Sequence, residues 1–281
     1  MSAGITEIAR QLEAGAVIPY LGSGMLALCE GVTVPATPGA LAAVMTAKVS
    51  VPHKIRARLT QAAQFIENFK HRKSVVMLMD EAYAAVPVPS QLHRTLATSG
   101  ATLWVDSWYD DTLLAAVRAA HPQGGWRQIQ GLSQSEHFGQ WTADYDANDQ
   151  VVDAPANATT RLLYRPIGGH SPASNYLVSD SDFVEVLTEI DIQTPIPEVV
   201  QERRKERRFL FLGCRFDDQL TRSFARQIMK RSSDTHWAVL PEEPTRMEAR
   251  FLEEQGIAPI PMPLAEFGAL LADALQPVLA R

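Results

Sequence analysis

The last third of the chain limits the fold most narrowly, because short apolar runs alternate there with amphipathic segments. The apolar runs are RRFLFLGC, THWAVLP and IAPIPM, and the helical patterns that follow them are DDQLTRSFARQIMKR, EPTRMEARFLEEQG and LAEFGALLADALQPVLA. Strands that are apolar throughout and are separated by helices are typical of a parallel sheet with both faces covered. We therefore predict an α/β fold, a three-layer Rossmann-like parallel sheet.

The beginning of the chain contains a similar unit. Residues 5–12 are apolar at helical spacing, Gly15 is a plausible end of that helix, and the strand-like AVIPYL follows. The strand leads into a turn that contains Gly22, Ser23 and Gly24. Many nucleotide-binding folds begin with a strand that ends in Gly-x-Gly, so the turn predicts a backbone that a phosphate could approach.

A helical insertion is predicted at about residues 52–99. Thr37 as N-cap and Pro38 at the first helical position predict a helix just before it. Within the insertion, an apolar stripe predicts helix from residue 54 to about residue 85, with a break near KHRKS. The stretch SQLHRTLATSG predicts a shorter helix that Gly100 closes.

The middle of the chain adds further strands and helices. The strand ATLWVDS precedes the helix DDTLLAAVRAAH, for which Asp110 or Asp111 is the N-cap, and the strand RLLYRPIGGH precedes the helix SDSDFVEVLTEI. Residues 124–153 are polar and predict a short hairpin or an excursion from the core. No long linker divides the chain, so we predict one domain over residues 1–281.

Composition excludes several classes of function. The 281 residues carry a net charge of −6, which gives no general attraction to nucleic acid or to anionic lipid. No apolar run approaches the length of a membrane span, and the N-terminus does not resemble a signal peptide. The two cysteines, Cys29 and Cys214, are predicted to be small buried residues, and no metal-binding spacing occurs. We expect a cytoplasmic protein that binds no metal, nucleic acid or membrane.

Two basic runs, KHRK at residues 70–73 and RRKERR at residues 203–208, are predicted to be solvated helix ends. The alternative is that they dock an acidic partner surface. The polar face of the helix that contains Arg58 and Arg72 could serve as a recognition surface. Several of the five tryptophans lie in loop-like sequence and could contribute anchors to it.

Four loops that follow predicted strands carry a family resemblance. They are YLGSGM, WVDSWYDD, RPIGGH and FLGCRFDDQL, and their order and spacing resemble those of the sirtuin-like domains in bacterial NAD-cleaving defence proteins. The resemblance covers essentially the whole chain. It implies a Rossmann-like domain with an NAD site at these loops, and places Gly22, Ser23, Gly24, Trp108, Gly168 and Gly213 at cofactor-binding positions.

The same resemblance implies that the catalytic positions have changed. The family's catalytic asparagine corresponds to Trp108, and its general-base histidine corresponds most naturally to Ile167. An indole cannot orient an attacking water as an amide does, and an isoleucine cannot move a proton. A serine of the glycine loop is replaced by Leu26. The four-cysteine zinc ribbon of deacylating sirtuins has no counterpart in two distant cysteines.

The preferred hypothesis is therefore a catalytically degenerate protein that acts by binding, with another protein as its partner. One alternative is an NAD glycohydrolase in which His170 or Asp110 replaces the lost groups. Another is a protein that holds NAD or ADP-ribose without turnover. A weaker resemblance, through VIPYLGSGMLAL, VPATPGALAAVMTAK and the residues that follow, is to a branch associated with nitrogen fixation, which implies a nitrogenase component as the partner.

Overall fold

The computed structural model of the protein describes residues 2–189 and 195–279, and an eight-stranded sheet forms its centre. Two short strands, β6 and β7, form a separate antiparallel pair. In chain order the strands are β1 Val17–Leu21, β2 Leu103–Asp106, β3 Trp126–Gly131, β4 Thr142–Asp146, β5 Arg161–Arg165, β6 Gly168–Gly169, β7 Asn175–Tyr176, β8 Arg208–Leu212, β9 His236–Val239 and β10 Ile257–Ile260.

The strand order in the large sheet is β10-β9-β8-β1-β2-β5-β3-β4. All neighbours are parallel except β3 and β4, which form an antiparallel pair at one edge. The direction in which the chain adds strands reverses between β1 and β8. In open α/β sheets, ligands bind beyond the carboxyl ends of the strands at such a reversal.

Helices cover both faces of the sheet and confirm the predicted three-layer, Rossmann-like α/β fold. In chain order they are α1 Ser2–Glu13, α2 Pro38–Lys48, α3 Leu59–Lys70, α4 Arg72–Tyr83, α5 Gln91–Thr98, α6 Thr112–Ala120, α7 Asp180–Glu189, α8 Glu198–Arg204, α9 Gln219–Met229, α10 Arg246–Glu254 and α11 Leu264–Leu279. Residue 190, the last of the helix predicted at SDSDFVEVLTEI, lies outside the described residues.

The two faces of the sheet pack against different groups of helices. In β8, Phe209 and Phe211 point into one apolar cluster, which includes residues of α2, α3, α4, α7 and α9. Leu210 and Leu212 alternate with them and point into a second cluster with residues of α1, α5, α6 and α11. Both faces of the strand are therefore buried, which explains why it is apolar throughout.

Helices α3, α4 and α5 lie between β1 and β2, where the insertion at about residues 52–99 was expected. Thr37 caps α2, since its hydroxyl accepts a hydrogen bond from the N–H of Ala40 at 3.1 Å. The predicted start of the next helix is wrong. Residues 53–57 form turns, closed by bonds from the N–H of Ile55 to Pro52 O and from the N–H of Arg58 to Ile55 O, so α3 begins only at Leu59. The predicted break near KHRKS is confirmed at His71.

The polar stretch at residues 124–153 forms the hairpin of β3 and β4, and β3 is a buried strand between β5 and β4. The two glutamines of β3 are tolerated there because each finds a partner. Gln128 and Gln130 both donate to Ser171 O, and Asn175 donates to Gln130 at 2.8 Å. A buried strand with such residues has no apolar run, which is why its sequence did not indicate a core strand.

The prediction that both basic runs are solvated helix ends is wrong in part, because each run contains an arginine that is not solvated. Arg72 in KHRK forms ion pairs with Asp182 at 2.8 Å and with Glu136 at 3.0 Å, and its side chain is only 10% exposed. Arg204 in RRKERR is buried and donates to Gln227 O and Ile228 O, both at 2.8 Å. These two arginines stabilise the fold through contacts within the chain, so they are not available to bind an acidic partner surface.

Three of the five tryptophans are also buried, so the suggestion that they anchor a partner is wrong for them. They are Trp104, Trp108 and Trp126. Among the described residues, no helix has the length and apolar character needed to cross a membrane.

Candidate functional site

A cleft of about 420 Å³ opens at the carboxyl ends of β1, β2 and β5. We call it the aromatic cleft. One wall comes from residues 57–61 of the helical insertion, and the facing wall comes from α7 and α9. Its floor consists of Tyr20, Ser107, Trp108, Tyr109 and Ile167. Its size and position at the reversal of strand order are those of a ligand site.

Trp108 and Ile167 both line the aromatic cleft, and each is 7% exposed. The indole of Trp108 is fixed in place because its Nε1 donates to Pro35 O at 2.9 Å and its ring packs edge-on against Tyr83. The hydroxyl of Tyr109 donates to Leu177 O at 2.7 Å. The floor of the cleft is therefore apolar at the two positions that the sequence resemblance assigns to catalysis.

The Gly-x-Gly turn does not line the aromatic cleft. The N–H of Gly22 donates to Leu212 O, the N–H of Gly24 donates to Gly213 O, both at 2.9 Å, and the N–H of Met25 donates to Gly22 O at 3.1 Å. A Cβ on Gly24 would lie 2.8 Å from Gly213 O. The glycines thus allow the loops after β1 and β8 to touch, and three of the N–H groups that could hold a phosphate are already bonded.

The second glycine pair, Gly168 and Gly169, packs against a buried arginine. A Cβ on Gly169 would lie 2.0 Å from the guanidinium carbon of Arg165, whose side chain is fully buried. Arg165 forms an ion pair with Asp111 at 2.7 Å and donates to the carbonyl oxygens of Tyr109 and Asp110. Gly168 is buried in the β6–β7 pair and is not part of the cleft lining.

The two residues of the catalytic alternative lie outside the cleft lining. His170 Nδ1 lies 3.1 Å from the hydroxyl of Tyr176 and 3.5 Å from Asp80, on the side that faces α4. Asp110 is buried, and its carboxylate accepts from the N–H of Thr112 at 2.9 Å at the start of α6. Burial raises the pKa of Asp110. The structure places neither side chain where it would face a ligand in the aromatic cleft.

A comparison with protein families matches residues 102–260 to the SIR2-like domain, which is more than half of the chain. The chain belongs to the SIR2-like family. A comparison with curated proteins gave no match. The family match starts just before β2, so the Gly-x-Gly turn and the helical insertion lie outside it, whereas the other three loops lie within it.

In this SIR2-like chain, Ser107 and Asp218 of the aromatic cleft are hydrogen-bonded within the fold. Ser107 donates from its hydroxyl to Leu21 O at 2.7 Å. Asp218 caps α9 and accepts from both the N–H and the hydroxyl of Thr221. Among the described residues that line the cleft, Asp218 is the only carboxylate and Arg58 the only cation.

The prediction that both cysteines are buried is wrong for one of them. Cys214 is buried as expected, but Cys29 is only half-buried, and its Sγ lies 4.0 Å from Nδ1 of His93. Burial lowers the pKa of His93 to about 4 and raises the pKa of the Cys29 thiol, so the pair does not generate a thiolate at neutral pH.

Within residues 2–189 and 195–279, no three acidic, histidine or cysteine side chains are grouped as metal ligands.

Of the six residues expected to bind a cofactor, only Trp108 lines the aromatic cleft. The sequence did not indicate the aromatic walls, Phe183 and Phe224, because they come from helices whose apolar faces looked like ordinary core. Ser23 and Gly213 lie in the two touching loops. A signal for Tyr20 was present, since it stands near the carboxyl end of a strand whose loop was already singled out.

Proposed function

We propose that this SIR2-like domain acts by binding and does not cleave NAD. The proposal is carried by the floor of the aromatic cleft, where Trp108 and Ile167 stand at the positions that the family resemblance assigns to the catalytic asparagine and histidine. Neither side chain can orient water or transfer a proton. The remaining carboxylate, Asp218, is held by two hydrogen bonds from Thr221.

The purified full chain is expected to release no nicotinamide from NAD above the rate in buffer alone. The measurement is chromatography of nicotinamide over time, with an active NAD-cleaving sirtuin-like enzyme as the positive control. Turnover comparable with that control would contradict the proposal. In that case, loss of nicotinamide release in His170→Ala would assign the activity to His170. An unchanged rate of release in that variant would exclude His170 as a catalytic residue.

We further propose that the ligand of the domain includes another protein, which binds at a second, exposed groove. Phe138, in the loop between β3 and β4, is 95% exposed, and Val184 of α7 is 61% exposed. Both line a groove of about 450 Å³ together with Trp141, Glu185 and Glu189. Exposed apolar groups beside charged ones are typical of protein interaction sites. A nitrogenase component is the partner that the weaker sequence resemblance implies.

Affinity purification of the tagged chain from its native organism, followed by mass spectrometry, is expected to recover a partner that Phe138→Ser loses. The reason is that this substitution removes an exposed aromatic anchor without disturbing the core. Val88→Ser is the matched control, because Val88 is 67% exposed and does not line the groove. Recovery of the same proteins with both variants would exclude the groove as the docking site.

A further inference from the structure

The walls of the aromatic cleft favour a flat apolar group as ligand. Tyr20, Trp108, Phe183 and Phe224 contribute rings to the lining, and Leu220 contributes an aliphatic side chain. The hydrogen-bonding atoms of the floor that we described above are already paired within the protein. The floor therefore offers a polar ligand body few partners in exchange for the water that it would lose, whereas an aromatic body would be stabilised by contact with the rings.

Among the described residues that line the cleft, the one cation has no partner. Arg58, at the start of α3, is exposed and lines the cleft, and its guanidinium has no hydrogen bond or ion pair with any described residue. Asp218 on the facing wall keeps its negative charge, but its carboxylate accepts two hydrogen bonds from Thr221 at the start of α9, where the helix dipole stabilises a negative charge. The cleft thus combines an apolar interior with a single unpaired positive charge, and a guanidinium is well suited to bind a planar carboxylate through two hydrogen bonds.

A dinucleotide fits this combination poorly. Its pyrophosphate needs several backbone N–H groups at a glycine turn, and those of Gly22, Gly24 and Met25 are bonded within the protein. The ligand chemistry that matches both the rings and the lone arginine is smaller and carries one negative charge.

We infer that the aromatic cleft binds a small aromatic carboxylate, with its ring against Trp108 and its carboxylate on Arg58. This inference rests on the proposal that the domain binds without cleaving NAD. The proposed binding function does not name a ligand, and this inference specifies its chemical class.

Calorimetry with 2-naphthoate and with its neutral analogue 2-naphthamide tests the inference. The full chain is expected to bind the carboxylate about two- to fivefold more tightly than the amide, because only the carboxylate pairs with the exposed Arg58. Arg58→Gln is expected to make the two affinities equal while the amide affinity stays unchanged. Arg56→Gln is the matched control, since Arg56 is also exposed but does not line the cleft, and it is expected to keep the full preference.

Three results would overturn the inference: no binding of 2-naphthoate, equal affinities in the unmodified chain, or the same loss in Arg56→Gln as in Arg58→Gln. Tighter binding of uncleaved NAD than of 2-naphthoate would also overturn the ligand class. Cleavage of NAD is a separate outcome, because it would refute the proposed non-catalytic function whatever the naphthoate titration gives.

Discussion

Replacement of Arg165 by methionine is expected to lower the free energy of unfolding by about 3–5 kcal/mol at pH 7. The Arg165 side chain is fully buried and is 2.7 Å from Asp111 and 3.7 Å from Asp106. Its guanidinium also donates to the carbonyl oxygens of Tyr109 and Asp110. Without the arginine, buried carboxylates lose their cation and two backbone acceptors lose their donor. Urea unfolding of both proteins measures the difference.

Arg127→Met is the matched control, because this arginine belongs to the neighbouring strand β3 but makes an exposed bond to Ala154 O. It is expected to lower the free energy of unfolding by less than about 1 kcal/mol. If Arg165→Met lost no more stability than the control, the buried cluster would contribute little to stability. Replacing a buried ion pair by apolar groups is nearly neutral in some other proteins.

The loss in Arg165→Met is expected to shrink as the pH is lowered. Burial raises the pKa of Asp106 well above its ordinary value, and Arg165 opposes that rise. An acid whose pKa is higher in the folded state than in the unfolded state takes up protons on folding, so its contribution to stability falls as the pH rises between the two pKa values. Removing Arg165 raises the pKa of Asp106 in the folded state further. The pH range between the unfolded and folded pKa values of Asp106 then becomes wider. The deficit should therefore be smallest near the unfolded pKa of aspartate, about 4, and grow toward pH 7.

The sequence predicted the elements that depend on local pattern. Continuous apolar runs identified β1, β2, β5 and β8, and the predicted N-cap Thr37 stands where α2 begins. Trp108 and Ile167, which lie in two of the loops that the sequence comparison singled out, both line the cleft. In each case a few neighbouring residues carry the whole signal.

What the sequence did not predict depends on residues that are distant in the chain. The contact of Gly24 with Gly213 and the packing of Gly169 on the Arg165 guanidinium exist only in the folded sheet. Arg72 looked like a solvated cation because Asp182, its partner, lies on α7. A glycine turn has the same sequence whether it binds a phosphate or another loop, so only the tertiary structure distinguishes the two.

Replacement of Gly213 by alanine is expected to lower the free energy of unfolding by about 3 kcal/mol, from backbone strain and overpacking together. Gly213 has a φ of +64°, and a Cβ there would lie 2.4 Å from the nitrogen of Met25 and 2.7 Å from the carbonyl carbon of Gly24. Both are backbone atoms of the Gly-x-Gly turn, so no side chain can rotate away to make room. Thermal and urea unfolding measure the loss.

Gly31→Ala separates the two causes of this loss. Gly31 has nearly the same φ, +61°, but nothing lies within 4 Å of a Cβ built on it, so this variant has the conformational cost alone, about 1 kcal/mol. The additional loss in Gly213→Ala then measures the contact between the loops after β1 and β8. If the two variants were equally stable, the loops could move apart at little cost, and the close contact seen here would contribute little to stability. A larger loss in Gly213→Ala would instead mean that glycine is required where the two loops touch, at the reversal of strand order in the sheet.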